Sequence, residues 1–177
     1  MSAPRNQVLL VDTRDRPLGV EEKAAAHARP LLHRAFSVFL YQGDRMFLQR
    51  RARDKYHSGG LWSNACCSHP GPGEEILSAA RERTLEEVGL EAPLEEIFQF
   101  IYYASFAPDL YEYEYDHVFL GECRDAAWRL DPAEAEEARW VPLEELEEEL
   151  VRSPRDFSAW FLAAAPRVME EIRRRRG

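Results

Sequence analysis

Residues 52–73 carry no hydrophobic period, hold Gly59, Gly60, Gly71 and Gly73 together with Pro70 and Pro72, and run straight into the clearest helix of the chain. A stretch that long without its own secondary structure is either a functional loop or a disordered one. The helix that follows has small and apolar residues at Leu77, Ala80, Thr84 and Val88, and Gly89 supplies a C-terminal stop. Any fold must therefore seat a polar loop, Trp62-Ser-Asn-Ala-Cys-Cys67-Ser-His69-Pro, at the start of one amphipathic helix. Downstream, Glu112-Tyr-Glu114-Tyr-Asp116 is equally unsuited to building an apolar core.

Around that unit the pattern gives a strand at 7–12, a turn at 14–17 and an Ala-rich helix at 20–28 stopped by Pro30. Strands at 34–41 and 45–51 are joined by Gln42-Gly43-Asp44, a hairpin signal. Strands at 97–106 and 111–121 turn through Ala107-Pro108-Asp109, and a short strand follows at 138–141. An acidic helix at 143–151 precedes a last helix at 158–175, which Pro166 should interrupt or kink. Strands before and after a central helix, with further helices outside, give a mixed α/β sandwich. At 177 residues the chain is expected to form one domain, 1–177.

The net charge of −9 argues against nucleic acid as a partner. An anionic substrate would need a local Arg/Lys cluster or a bridging metal. No apolar run is long enough to cross a bilayer, and the N-terminus lacks the basic-then-apolar order of a signal peptide. Three cysteines, two of them adjacent, make no disulfide framework, so a cytoplasmic location is expected. Arg173 to Arg176 read as a solvated helix end that suits the helix dipole.

The helix charges allow two readings. Arg83 and Glu87 share a face, as do Glu82 and Glu86. They can be exposed ion pairs worth a few tenths of a kcal/mol, or a ladder of hard oxygens holding Mg²⁺ against a diphosphate. Glu74, the spacing to Glu82-Arg83, and Glu86-Glu87-Val88-Gly89-Leu90 resemble a Nudix box. Ser68 stands where that pattern has Gly, and Glu82-Arg83 stands where it has Arg-Glu. The swap removes a glutamate from the set that Nudix hydrolases use to hold metal, which argues against diphosphate hydrolysis. Asn64-Ala-Cys-Cys67-Ser-His69-Pro, the altered box, and Tyr111-Glu112-Tyr-Glu114-Tyr together resemble the type 1 isopentenyl-diphosphate delta-isomerases, from Lys23 to Trp160.

The resemblance implies a Nudix-like α/β/α sandwich with a mixed sheet and a central Nudix-type helix. It implies interconversion of isopentenyl and dimethylallyl diphosphate by protonation and deprotonation through a carbocation-like intermediate, in isoprenoid biosynthesis. It assigns His27, His33, His69, Glu112 and Glu114 to one divalent metal, Mn²⁺, Mg²⁺ or Zn²⁺. Read by themselves, the histidines can equally be ordinary core or surface residues. Glu112 and Glu114 share a strand face that could be solvated. Val118-Phe119-Leu120 carries that strand into the core, where inward carboxylates need partners. His57 and His117 do not match the metal set, and His117 points to the face opposite Glu114 and Asp116.

Moving the double bond requires a proton added at C4 and another removed from C2, so two opposed acid/base groups are the minimum. The resemblance assigns them to Cys67 and Glu114, with Tyr102 near Glu114, and makes Trp160 the aromatic face that stabilises positive charge. Trp62 can line the same pocket, whereas Trp128 and Trp140 read as core or surface. Cys66 is expected to be a small buried hydrophobe and Cys123 structural. Lys23, Arg51, Lys55 and Arg83 match the family's diphosphate anchors, with Mg²⁺ bridging from Glu87. Lys23 lies four residues before His27, so one helical face would deliver an anchor and a ligand together. The expected partner is a small prenyl diphosphate, with no nucleic acid or membrane, and the expected state a monomer. Two rivals remain: a Nudix pyrophosphohydrolase acting on nucleotide or prenyl diphosphates, and an inactive Nudix fold that binds only diphosphate ligands or a protein partner.

Overall fold

Strand β3 (His33–Gln42) organises the sheet. One side of it pairs in parallel with β8 (Leu110–Glu122) from His33↔Glu114 to Tyr41↔Glu122. The other side is shared end to end by three antiparallel partners: β1 (Gln7–Val11), β6 (Cys66–Ser68) and β4 (Arg45–Arg51). β2 (Pro17–Glu22) extends the sheet beyond β1, β7 (Leu94–Ala107) beyond β8, and β5 (Trp62–Ser63) and β9 (Ala135–Pro142) pair with β4. This computed structural model describes residues 5–177.

Alternation along the central strands builds two cores, one on each face. Phe36, Val38 and Leu40 of β3, Phe47 of β4 and Phe119 of β8 pack with Ala79, Ala80 and Val88 of α2 (Ile76–Val88). Phe39, Tyr41, Met46, Leu48, Val118 and Leu120 pack on the other face with α3 (Leu143–Arg152) and α4 (Ala159–Arg176). The result is the expected α/β/α sandwich with a mixed sheet. Glu75 caps α2 by accepting from the Leu77 and Ser78 amides at 2.9 and 2.8 Å. Gly89 closes the helix in the left-handed region at φ 68, where a Cβ would lie 2.9 Å from the Arg129 amide nitrogen.

Three expectations are corrected. Helix is confined to α1 (Lys23–Ala28), because Val20 and Glu21 are held by the antiparallel ladder to Leu9 and Val8. Ladder bonds outweigh the helix preference of the alanines that follow. Residues 52–73 are not wholly irregular, since β6 pairs across Phe36, Ser37 and Val38 and pins the cysteine segment to the sheet. Pro166 does not interrupt α4, whose flanking residues Ala164, Ala165, Val168 and Met169 are buried against the sheet and hold the helix through the missing N–H. The terminal arginines are solvated as expected, with Arg173 on Glu147 and Arg174 on Glu171. No helix among the described residues is long and apolar enough to cross a membrane.

Candidate active site

On β8 the face bearing Val118 and Leu120 turns polar toward the strand's start, carrying the buried carboxylates Asp116, Glu114 and Glu112 in succession. The matching face of β3 changes in step, from Phe39 to Ser37 and then His33, which is in register with Glu114. One continuous sheet face is therefore hydrocarbon core at one end and titratable site at the other. A cavity of about 190 Å³ opens over the polar end.

His69 and Glu114 line it, and together with His27 and His33, which do not, they bring one ligand atom each to within 4.8 Å of one another. α1 supplies His27, β3 His33, the residues just after β6 His69, and β8 Glu114. The His27 and His33 Nδ1–H groups donate to the Lys23 and Leu31 carbonyls at 2.6 and 2.8 Å, which leaves both Nε2 lone pairs directed inward. His33 Nε2 lies 3.2 Å from His69 Nε2, which is 3.0 Å from Glu114 Oε1, and His27 Nε2 is buried without a partner among the described residues. Burial pushes the His69 imidazolium down to about 3, outweighing its hydrogen bond to the Glu114 carboxylate, which favours it, and burial also lowers His27. Burial opposes charge on Glu114 as well, but the adjoining His33 and His69 imidazoles outweigh it and keep the carboxyl well below its usual range. Converging imidazole lone pairs, locked from behind by carbonyls and joined by an ionised carboxylate, fit a divalent cation.

Glu112 stands apart from that group of four. Its Oε1 is 2.8 Å from His57 Nε2, and burial and the neighbouring Glu114 charge raise its carboxyl. His57, absent from the expected set, stacks on Phe106 at 4.2 Å and meets Trp160 edge-on at 5.8 Å. His117 does face away from Glu114, bonding Asp15 at 2.9 Å and Glu96 at 3.1 Å.

Alternation along β6 separates the two cysteines. Cys66 enters the apolar cluster beneath α2, whereas Cys67 lines the cavity. Burial, reinforced by Asp116, pushes the Cys67 thiol far above its usual range. Its Sγ lies 3.1 Å from Asn64 Oδ1 and 3.4 Å from Ser37 Oγ, and the Ser37 hydroxyl donates to Asp116 Oδ2 at 2.7 Å. Tyr102 sits directly across the ladder from Glu114, with its hydroxyl buried and without a partner among the described residues. Trp160 closes the cavity from the first turn of α4, with the Arg51 guanidinium 4.9 Å from its ring centroid. Trp62 is not in the lining, because its ring is taken by Arg139 at 4.5 Å. Trp128 and Trp140 pack around Phe47, and Cys123 is buried, as expected.

Toward the mouth, Lys23, Arg51, Lys55 and Arg83 all line the cavity, with Glu87 beside them. Arg83 donates to Ser68 Oγ at 2.8 Å and approaches Glu74 at 3.5 Å, so the two departures from the box pattern are bonded to each other. Lys55 pairs with Glu134 at 2.6 Å. Burial and Glu134 together raise Glu87 to about 7. Arg5, bound to Glu86 on α2, is a further cation at the rim. Glu134 was not singled out by sequence, whereas Asp116 and Asn64 were named within their motifs without a role. Asp116 continues the two-residue period of Glu112 and Glu114.

The fold and its box-bearing helix define a NUDIX domain, whose family description matches residues 31–161. DR0079 from Deinococcus radiodurans shares this fold with a TM-score of 0.69 at 18% identity, over 95% of this chain and 98% of that one. The chain is 47% identical over 165 residues to isopentenyl-diphosphate Delta-isomerase 2 of Aromatoleum aromaticum, covering 93% of this chain and 87% of the relative. It is 41% identical over 166 residues to isopentenyl-diphosphate Delta-isomerase of Pectobacterium atrosepticum, covering 93% and 92%. The chain belongs to the isopentenyl-diphosphate Delta-isomerase family.

Proposed function

We propose that the chain interconverts isopentenyl and dimethylallyl diphosphate, with Cys67 and Glu114 as the two acid/base groups. The observation that carries this reading is their placement: both line one small cavity, walled by Trp160, whose mouth holds Lys23, Arg51, Lys55 and Arg83. In one direction a proton is added at C4 and another leaves C2, and reversal requires each group to serve as both acid and base. Burial favours this chemistry, because an unactivated alkene accepts a proton only from a close donor shielded from water. Tyr102, opposite Glu114 on the ladder but outside the cavity lining, would act beside that carboxylate only with its hydroxyl turned toward it. The Trp160 ring offers electron density to a tertiary cation without a nucleophile to trap it, an attraction of about 2 kcal/mol when desolvated.

His27, His33, His69 and Glu114 would hold a divalent cation, Mn²⁺, Mg²⁺ or Zn²⁺, with Glu112 as a further ligand, and Mg²⁺ at Glu87 would add charge beside the diphosphate. When bound, these cations supply fixed positive charge that orients carboxylates and phosphate oxygens. The four basic side chains bind the diphosphate and orient the hydrocarbon inward. We read the chain as a monomeric cytoplasmic enzyme of isoprenoid biosynthesis using a small-molecule substrate.

Arg83 in the box position of a glutamate is the feature that disfavours the hydrolase alternative. Incubation with isopentenyl diphosphate and Mg²⁺ should give the allylic isomer. Released phosphate without isomer would sink the assignment in favour of hydrolysis.

A further inference from the structure

We propose that Asn64 is a positioning residue that fixes the Cys67 thiol and the Trp160 indole relative to each other through one shared atom, its Oδ1. The inference rests on the acid/base and aromatic roles proposed above. Asn64 is fully buried between β5 and β6. Its Oδ1 accepts from Cys67 Sγ at 3.1 Å, from Trp160 Nε1 at 3.2 Å and from Ser63 Oγ at 3.0 Å. Its Nδ2 donates to the Val38 and Cys66 carbonyls, both at 2.9 Å.

These partners leave the amide one orientation. Exchanging oxygen and nitrogen would set the NH₂ against an indole N–H that can only donate, and the carbonyl against two backbone carbonyls that can only accept. The acceptor end therefore faces the thiol, and the S–H is aimed at Oδ1. On its other side the thiol meets Ser37 Oγ at 3.4 Å, whose own proton goes to Asp116. Cys67 is thus bracketed between two oxygens.

The arrangement matters because the thiol and the ring come from distant parts of the chain. Cys67 is carried by β6, and Trp160 by the first turn of α4. α4 has no side-chain cap of its own. Its start is instead strapped to the segment Trp62-Ser63-Asn64: the Ser158 amide donates to the Trp62 carbonyl at 2.9 Å and the Ser158 hydroxyl to Ser63 Oγ at 3.1 Å. Asn64 completes that strap and is the one member that also touches the thiol. A proton donor and the face that stabilises the resulting positive charge must keep their separation through the reaction, and a misplacement of about 1 Å can cost about 100-fold in rate.

The test is Asn64→Ala, made in the full chain and checked for folding by circular dichroism. We expect kcat to fall about 100-fold, with KM for isopentenyl diphosphate within about twofold of the parent. Iodoacetamide should label Cys67 about tenfold faster, because the side chain that holds and covers the thiol is gone, while buried Cys66 stays protected. A folded variant with kcat within about threefold of the parent overturns the proposal. So does a loss of kcat accompanied by labelling of Cys66, which would mean general loosening of the fold. If Asn64→Ala does not fold, Trp160→Phe decides: it keeps an aromatic face but has no N–H to reach Oδ1, and a kcat drop of about tenfold at constant KM is expected. Unchanged turnover in that variant overturns the proposal. Retained turnover in Cys67→Ala would instead sink the acid/base reading itself.

Discussion

The inner and outer halves of the cavity are assembled by opposite means. Inside, His27, His33, His69 and Glu114 are short or planar side chains on four separate elements, and carbonyls lock two of the rings from behind. At the mouth the cations are long and flexible, and two are already matched with partly exposed carboxylates, Lys55 with Glu134 and Arg5 with Glu86, while Arg83 is buried on Ser68 and Glu74. A preorganised centre suits bond-making, where geometry must not relax. A mouth of exchangeable ion pairs suits reversible capture of an anion by a protein of net charge −9, because pairs near the surface contribute little and break easily. Substitutions in the two halves should therefore fail in different kinetic parameters.

The largest effects test the inner half. Cys67→Ala and Glu114→Gln should each lower kcat by about 1,000-fold or more, with isopentenyl diphosphate still bound, as read by equilibrium dialysis of labelled substrate. If either variant turned over normally, the division between halves would collapse. His33→Ala removes a ring whose Nδ1 is anchored to Leu31, and Mn²⁺ affinity followed by electron paramagnetic resonance should drop about 100-fold. Lys55→Ala belongs to the mouth: it should raise KM about tenfold through one lost charge-assisted bond to phosphate and leave Mn²⁺ binding to the inner cluster unchanged. A drop in Mn²⁺ affinity in Lys55→Ala would show that the halves are coupled.

The halves were also unequally legible in the sequence. Periodicity placed Glu112 and Glu114 on one strand face, and the turn into Val118-Phe119-Leu120 argued that the face is buried, as it is. The central helix and its stop at Gly89 were readable because amphipathic spacing and a left-handed glycine are local signals. Local signals misled at 20–22, where pairing to β1 is set by residues a dozen positions earlier. His57 was set aside because it does not match the metal set, and its contacts come from a loop path that brings it against Phe106 at the tip of the β7–β8 hairpin and against Glu112. No spacing rule links those positions. Ser68 and Arg83 were each visible as departures from the box, but their bond to one another is a tertiary fact. Glu134 lies in an irregular stretch after β8 that carries no period, and only its bond to Lys55 gives it meaning.

The smallest expected effect concerns the mouth alone and turns on Glu87, which burial and the nearby Glu134 charge hold at about 7. A raised carboxyl pKa means that Glu87 takes up its proton as pH falls through about 7, so the form able to hold Mg²⁺ is lost in that window. Apparent Mg²⁺ affinity, measured with inorganic pyrophosphate present, should weaken about threefold between about pH 7.5 and about pH 6.5. Glu134→Gln removes the like charge and releases Lys55, and both changes favour the ionised carboxylate, so the transition should move to lower pH. Cys67→Ala, altered only in the inner half, should keep the parent's Mg²⁺ profile. A transition that stays in place in Glu134→Gln would mean that Glu87 is not the group that titrates, and the mouth would then owe its metal affinity to the substrate's phosphates.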